Sequence, residues 1–354
     1  MNKPVMTDSL SQASAIGLPS DHPTIPPGRL GVLLVNLGTP DYPTATSVRE
    51  YLAEFLSDRR IVDYPRALWM PILHGIILNV RPARTAKAYE SIWLKETDES
   101  PLRFYTRQTA DKLQNSLGAD VTVDWAMRYG TPSIADRIEA MKSAGCERLL
   151  IVPMYPQYST TTTASVHDAV FNAVKDLKWQ PALRIAPAFH DHPAYIKALG
   201  SVTRRALGEL DWTPERVLLS FHGLPKRYFE AGDPYHCHCA KTARLLREHM
   251  RWTDEFAPLT FQSKFGREPW LEPATEDTMI ALAEQGVKRI AIITPGFVAD
   301  CIETLEEIDI AGREMFAEHG GTHFAAIPCI NDSDEAVSLM QQISETELAG
   351  WLAR

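Results

Sequence analysis

Runs of aliphatic and β-branched residues recur along the chain at 32–35, 149–152, 217–219 and 290–293, each followed shortly by a glycine or a proline. Such short runs without polar interruption read as strands buried on both faces, the signature of a parallel sheet covered by helices. Further strands are expected at 183–187, 258–262 and 324–328. Apolar residues at helical spacing predict helices in segments such as 195–210 and 275–285.

The pattern is written twice. Val32-Leu-Leu-Val-Asn-Leu-Gly-Thr-Pro40 aligns with Val217-Leu-Leu-Ser-Phe-His-Gly-Leu-Pro225. Met127-Arg-Tyr-Gly130 resembles Ser263-Lys-Phe-Gly266, and the segment from Gly145 to Val152 resembles that from Gly286 to Ile293. Three matches in one order imply two similar doubly wound (Rossmann-like) α/β units with largely parallel sheets and a ligand cleft between them. The expected division is a flexible tail over 1–28, one unit over 29–190 and a second over 191–354. No strand is followed by G-x-G-x-x-G or G-x-x-x-x-G-K-[ST], so no nucleotide is expected as a ligand.

The repeat also marks where the halves differ. His222 ends a strand and aligns with Leu37, so a titratable imidazole near neutral pH stands in one half only. A structural histidine is the plainer alternative. The second half carries acids at 300, 303, 306, 307 and 309, with Glu303 and Glu307 on one helical face. Like charges at that spacing cost stability unless a proton or cation is shared between them. An acidic first turn complementing the helix dipole explains Asp300 and Glu303 equally well, and Glu307 less well. Together His222 and the acids form a proton or metal station facing an uncharged, aromatic first half. Cys301 lacks the base and orienting partner that a nucleophile needs. Cys237-His238-Cys239 beside His236 lacks the second ligand pair of a zinc site.

Residues 67–80 form an uncharged apolar stretch too short to span a membrane and interrupted by Pro71 and Gly75. It reads either as a buried helix or as the hydrophobic lip of a pocket, touching a membrane surface. The net charge of −9 provides no basic stripe for a nucleic-acid partner. Five cysteines and no secretory signal suggest a reducing cytoplasm.

The runs Leu219-Ser-Phe-His-Gly-Leu-Pro-Lys-Arg-Tyr228, Gly232-Asp-Pro-Tyr235, Phe261-Gln-Ser-Lys-Phe-Gly266 and Asp300-Cys-Ile-Glu-Thr-Leu-Glu-Glu307 resemble ferrochelatase, as does Leu34-Val-Asn-Leu-Gly-Thr-Pro40. The resemblance implies two chelatase-type α/β domains and insertion of Fe²⁺ into protoporphyrin IX to give haem, with release of two protons. It puts the catalytic histidine at His222 and the metal-site glutamate at Glu303, with Glu307 beside them. It puts porphyrin contacts at Arg81, Tyr89, Ser100, Arg128, Tyr129 and Trp270, and makes 67–80 the active-site lip, peripheral to the inner membrane. Where some members carry a histidine beside the metal glutamate, this chain has Cys301. The tyrosine-rich loop Gln157-Tyr-Ser-Thr160 has no cysteine and no cysteine follows Cys329, so no [2Fe–2S] cluster of the known form is expected. A related chelatase for cobalt or nickel and a porphyrin carrier are the alternatives. The paired acids argue against the carrier.

Overall fold

The computed structural model describes residues 28–352; the expected tail, apart from Gly28, lies outside the described residues. The strands are β1 (Arg29–Gly38), β2 (Val121–Tyr129), β3 (Cys146–Pro153), β4 (Ala182–Ile185), β5 (Arg216–His222), β6 (Leu259–Gln262), β7 (Arg289–Ile293) and β8 (His323–Ala326). They form two four-stranded sheets of the same order, β2-β1-β3-β4 and β6-β5-β7-β8. Every pairing is parallel.

Register tests the repeat residue by residue. Val32 pairs with Leu150, and its counterpart Val217 pairs with Ala291, as the aligned segments require. Gly145 and Gly286 both adopt positive φ, 89° and 93°, at the turn leading into β3 and β7. The remaining match is displaced. Asn36 pairs with Met127, and its counterpart Phe221 pairs with Phe261, so Met127 corresponds to Phe261 rather than Ser263. Arg128 therefore corresponds to Gln262.

Side chains alternate across each strand and separate two environments. Leu33 and Val35 pack with Ile138, Val166 and Val170, and on the other sheet Leu218, Ile290 and Ile292 pack with Met279 and Phe316. The opposite faces, carrying Val32, Leu34 and Leu150 from one sheet and Val217, Leu219 and Ile293 from the other, belong to one continuous core. The last helix, Asp334–Glu347, is capped by Ser333 and packs on helix Pro101–Leu117, helix Pro193–Gly208 and β3.

Residues 67–80 depart from both simple expectations. Helix Arg66–Ile72 runs through Pro71 into a π turn, Leu73–Ile77, and on into helix Leu78–Ile92. Pro71 and Gly75 therefore do not break the chain; the wider turn directly after Pro71 absorbs the irregularity. Leu73 and Leu78 are buried, whereas Leu68, Ile72, Ile76 and Val80 stay exposed at a spacing that puts them along one stripe. No helix among the described residues is long and apolar enough to cross a membrane.

Candidate active site

β5 delivers His222 at its carboxyl end, half-buried, where open parallel sheets place their ligand crevices. The imidazole Nδ1 lies 2.6 Å from the carbonyl oxygen of Gly223. A carbonyl only accepts, so Nδ1 carries the proton and Nε2 holds the lone pair of the neutral ring. The His222 carbonyl accepts from the Tyr235 hydroxyl at 3.0 Å. Gly223 has no room for a side chain: a Cβ there would lie 2.7 Å from the Gln262 carbonyl oxygen and 3.1 Å from the Trp270 ring.

The acidic segment is a π-helix, Glu303–Gly312, in place of the α-helix its spacing predicted. π turns are rare and concentrate at functional sites. Asp300 precedes it and is buried, accepting from Asn331 Nδ2 at 2.7 Å and from the Thr304 hydroxyl at 3.0 Å. That arrangement makes Asp300 a loop fastener. Glu303 is held through its backbone, its carbonyl accepting from Gln262 Nε2 at 2.9 Å. Glu307 accepts from the Ser263 hydroxyl at 2.7 Å. Burial raises the proton affinity of Glu307; the Ser263 hydrogen bond and His222 pull it back, and Glu303 adds to the rise.

Across from these acids, Tyr51 and Tyr89 meet edge to face with ring centroids 6.4 Å apart. Burial, with the nearby Glu303 carboxylate adding to it, drives both phenols far above the ordinary tyrosine range, so they stay neutral. Ile302 and Leu305 of the acidic segment pack on the same aromatic cluster, which joins the two halves. Cys301 is buried and its thiol is raised by burial first, then by Glu303, which leaves it unreactive.

The remaining residues singled out in the sequence fall into three groups. Trp270 is buried against the His222–Gly223 turn, pairs in an isolated bridge with Pro225 and lies 4.9 Å from the Phe265 ring. Arg81 is exposed on the helix that carries Tyr89. Arg128, Tyr129 and Ser100 are occupied within the protein. Arg128 donates to Asp58 at 2.5 Å and to the Ser165 hydroxyl at 2.7 Å. Tyr129 donates to Asp58 at 2.8 Å and is fully buried, and Ser100 caps helix Pro101–Leu117. A propionate could reach Arg128 only by competing with Asp58.

His222, Glu303 and Glu307 share one neighbourhood, but among the described residues no three His, Cys, Asp or Glu side chains converge as a ready-made metal cage. Cys237 is exposed and Cys239 fully buried on one helix, which rules out both thiolates gripping one ion as placed. His238 Nδ1 instead accepts from the Tyr158 amide at 3.2 Å, and its ring stacks on His190 at 3.6 Å. Sequence reasoning assigned no role to Tyr51, Gln262, Ser263 or Asp58. Gln262 and Ser263 lay in a recognised motif; Tyr51 and Asp58 carried no local signal.

The ferrochelatase family model matches residues 29–348. The chain is 56% identical over 335 residues to a ferrochelatase of Rhizobium meliloti, covering 94% of this chain and 99% of that protein. It is 52% identical over 337 residues to a ferrochelatase of Agrobacterium fabrum, covering 95% and 98%. Among solved structures, SirB from Bacillus subtilis with Fe³⁺ superposes with a TM-score of 0.55 at 12% identity, covering 91% of this chain and 97% of that one. A sirohydrochlorin chelatase SirB in complex with cobalt gives 0.54 at 10% identity, covering 90% and 95%. At those identities the likeness speaks for the fold alone. The family match over nearly the whole described chain, together with relatives more than half identical, establishes that this chain belongs to the ferrochelatase family.

Proposed function

We propose that this protein inserts Fe²⁺ into protoporphyrin IX to form haem, the last step of haem synthesis, with His222 as proton acceptor. The observation that supports this role is the 2.6 Å approach of His222 Nδ1 to the Gly223 carbonyl, which can only accept. With Nδ1–H spent on the Gly223 carbonyl, Nε2 is left to take a pyrrole proton. The protein's ionic substrate is the iron, so a loose, incomplete ligand set suits it better than a closed cage that would retain it. Glu303 and Glu307 receive the ion as it sheds water and pass on protons. Each insertion forms iron–nitrogen bonds at the expense of two N–H bonds, and both protons leave by way of these groups.

A flat macrocycle aims its nitrogen lone pairs at one another, so a site that prefers a bent porphyrin lowers the barrier. The exposed stripe of 67–80 offers apolar surface for that purpose, and the buried Trp270 ring backs the His222–Gly223 turn. Arg81, exposed on its helix, offers a cation to a propionate. Tyr89 walls the metal side, and Arg128, Tyr129 and Ser100 keep the pocket's framework in shape. The stripe Leu68, Ile72, Ile76, Val80, flanked by Arg66, Arg81 and Arg84, suits contact with a membrane surface on the cytoplasmic side. The placement of Cys237 and Cys239 supports the reading that no [2Fe–2S] cluster is bound, and the acidic charge supports the absence of a nucleic-acid partner.

Purified protein mixed with Fe²⁺, Zn²⁺ or Co²⁺ and either protoporphyrin or coproporphyrin tests this through the change in porphyrin absorbance. Iron insertion into protoporphyrin is the expected result. Metal-independent porphyrin binding alone, or a clear preference for coproporphyrin, would overturn the assignment of activity or of substrate.

A further inference from the structure

The dipeptide Gln262-Ser263 takes no part in the chemistry above, yet both sides of the proposed machinery are bonded to it. Gln262 is the register partner of His222 across β5 and β6, and its carbonyl accepts from the Gly223 amide at 2.8 Å. That same Gly223 holds the His222 ring through its own carbonyl. The Gln262 side chain reaches the other way, donating from Nε2 to the Glu303 carbonyl at 2.9 Å. Ser263 then donates to Glu307 at 2.7 Å.

We propose that Gln262 is the positioning residue that fixes the separation between His222 and the Glu303 segment. This rests on the assignment of His222 and Glu303 as the reacting pair. Gln262 is 1% exposed, so its amide has no water to turn to if a partner is lost. The Glu303 carbonyl can only accept, which puts the amide nitrogen on that side. The Ser220 hydroxyl, 2.9 Å from Oε1, holds the amide oxygen on the other. Thr275 Oγ1 lies 2.8 Å from Ser220 and 2.8 Å from Thr260, so the network extends into buried hydroxyls that keep the amide from flipping. The first half supplies a contrast. Its equivalent position is Arg128, whose bonds go to Asp58, Ser165 and Glu54 of its own half. The long-range amide contact is therefore particular to the half that carries the histidine. A base on a strand end and acids on a separate helix need such a tie, because misplacement by about 1 Å can cost on the order of 10²-fold in rate.

The test compares Gln262→Leu, Ser220→Ala and the double variant in the full chain, with His222→Ala and Glu303→Gln alongside. Folding is checked by thermal melting, and kcat and the porphyrin KM are measured separately. Gln262→Leu should lower kcat about 10- to 100-fold with KM within about twofold, since geometry and not affinity is lost. Ser220→Ala removes one hydroxyl and should fold. It should lower kcat about 3- to 10-fold, an effect that disappears in the Gln262→Leu background because both act through one amide. A folded Gln262→Leu protein with kcat within twofold of the parent would overturn the proposal, as would unchanged kcat in Ser220→Ala or additive losses in the double variant. Near-parental turnover by His222→Ala or Glu303→Gln would instead bring down the site assignment, and this inference with it.

Discussion

The His222 imidazole and the Gly223 carbonyl are neighbours in sequence and partners in space, with Nδ1 2.6 Å from the oxygen. Gly223 thus decides which nitrogen of the residue before it is the base. His222→Ala should reduce turnover by about 10²- to 10⁴-fold, the range for loss of a positioned proton acceptor. Porphyrin affinity, followed by fluorescence quenching, should hold, because the apolar walls are untouched. Turnover near the parental rate would remove His222 from the mechanism.

Glu303→Gln keeps the backbone carbonyl that Gln262 holds and removes only the carboxylate. It should be nearly as damaging to turnover as His222→Ala, with its melting temperature little changed. A variant that inserts Zn²⁺ at the parental rate would move the ion's entry point away from Glu303.

The stripe on 67–80 lends itself to an assay that leaves chemistry aside. Leu68→Glu together with Ile76→Glu alters two exposed side chains, so stability should move by no more than about 0.5 kcal/mol. Co-sedimentation with anionic vesicles should fall sharply. Unchanged sedimentation would show that this face does not meet lipid.

Asp58 anchors Arg128, Tyr129 and Ser165 at once. Burial works to raise its carboxyl, but hydrogen bonds from Ser165, the Arg60 backbone and Tyr129, with the Arg128 charge, outweigh it and hold the group below the ordinary carboxylate range. A depressed carboxylate contributes stability that is complete above the unfolded pKa, about 3.9, and drains away as pH falls through the folded value. Asp58→Asn should therefore cost about 3 kcal/mol at neutral pH, leaving Arg128 buried without its counter-charge, and should cost less in acid. Urea melts at pH 7 and pH 3 make the comparison.

His190 predicts a different acid window. Burial first, then the stacked His238 ring, push its pKa down to about 4, with Asp191 opposing and Lys241 assisting. Between that value and the unfolded pKa of about 6.5, the unfolded chain binds a proton that the native ring refuses. Stability should thus decline as pH drops from 6.5 toward 4. His190→Phe keeps an aromatic partner for His238 and should flatten this part of the curve, as read from urea midpoints. An unchanged slope would show that His190 does not titrate differently on folding.

Much of this architecture is written locally. Apolar runs bounded by glycines marked the strands, and the duplicated Val-Leu-Leu motif placed His222 at a strand end opposite Leu37. Features depending on contacts between distant segments were not legible. The match of Met127 with Ser263 looked sound by character and proved two residues out of register, because only strand pairing fixes that offset. The π turn after Pro71 and the π-helix at Glu303 have no distinct hydrophobic period, so both read as ordinary or broken α-helix. The pairing of Arg128 with Asp58, far away in sequence, carried no local signal. Gln262 stood inside a recognised motif, but its job depends on where the Glu303 carbonyl comes to rest.

The last helix carries a consequence for how the gene could be cut. A protein built as two copies of one unit invites division at the seam, yet Leu339, Met340 and Ile343 share a core with Ala110 and Leu113 from the first copy. Arg184 of that copy also donates to the Ala349 carbonyl at 3.0 Å. A fragment ending near residue 190 would bare that apolar face to water, and a stop codon before Asp334 would strip a wall from the half that had already been synthesised. The two copies are thus locked into a single heritable length, and truncations from either end should fail together.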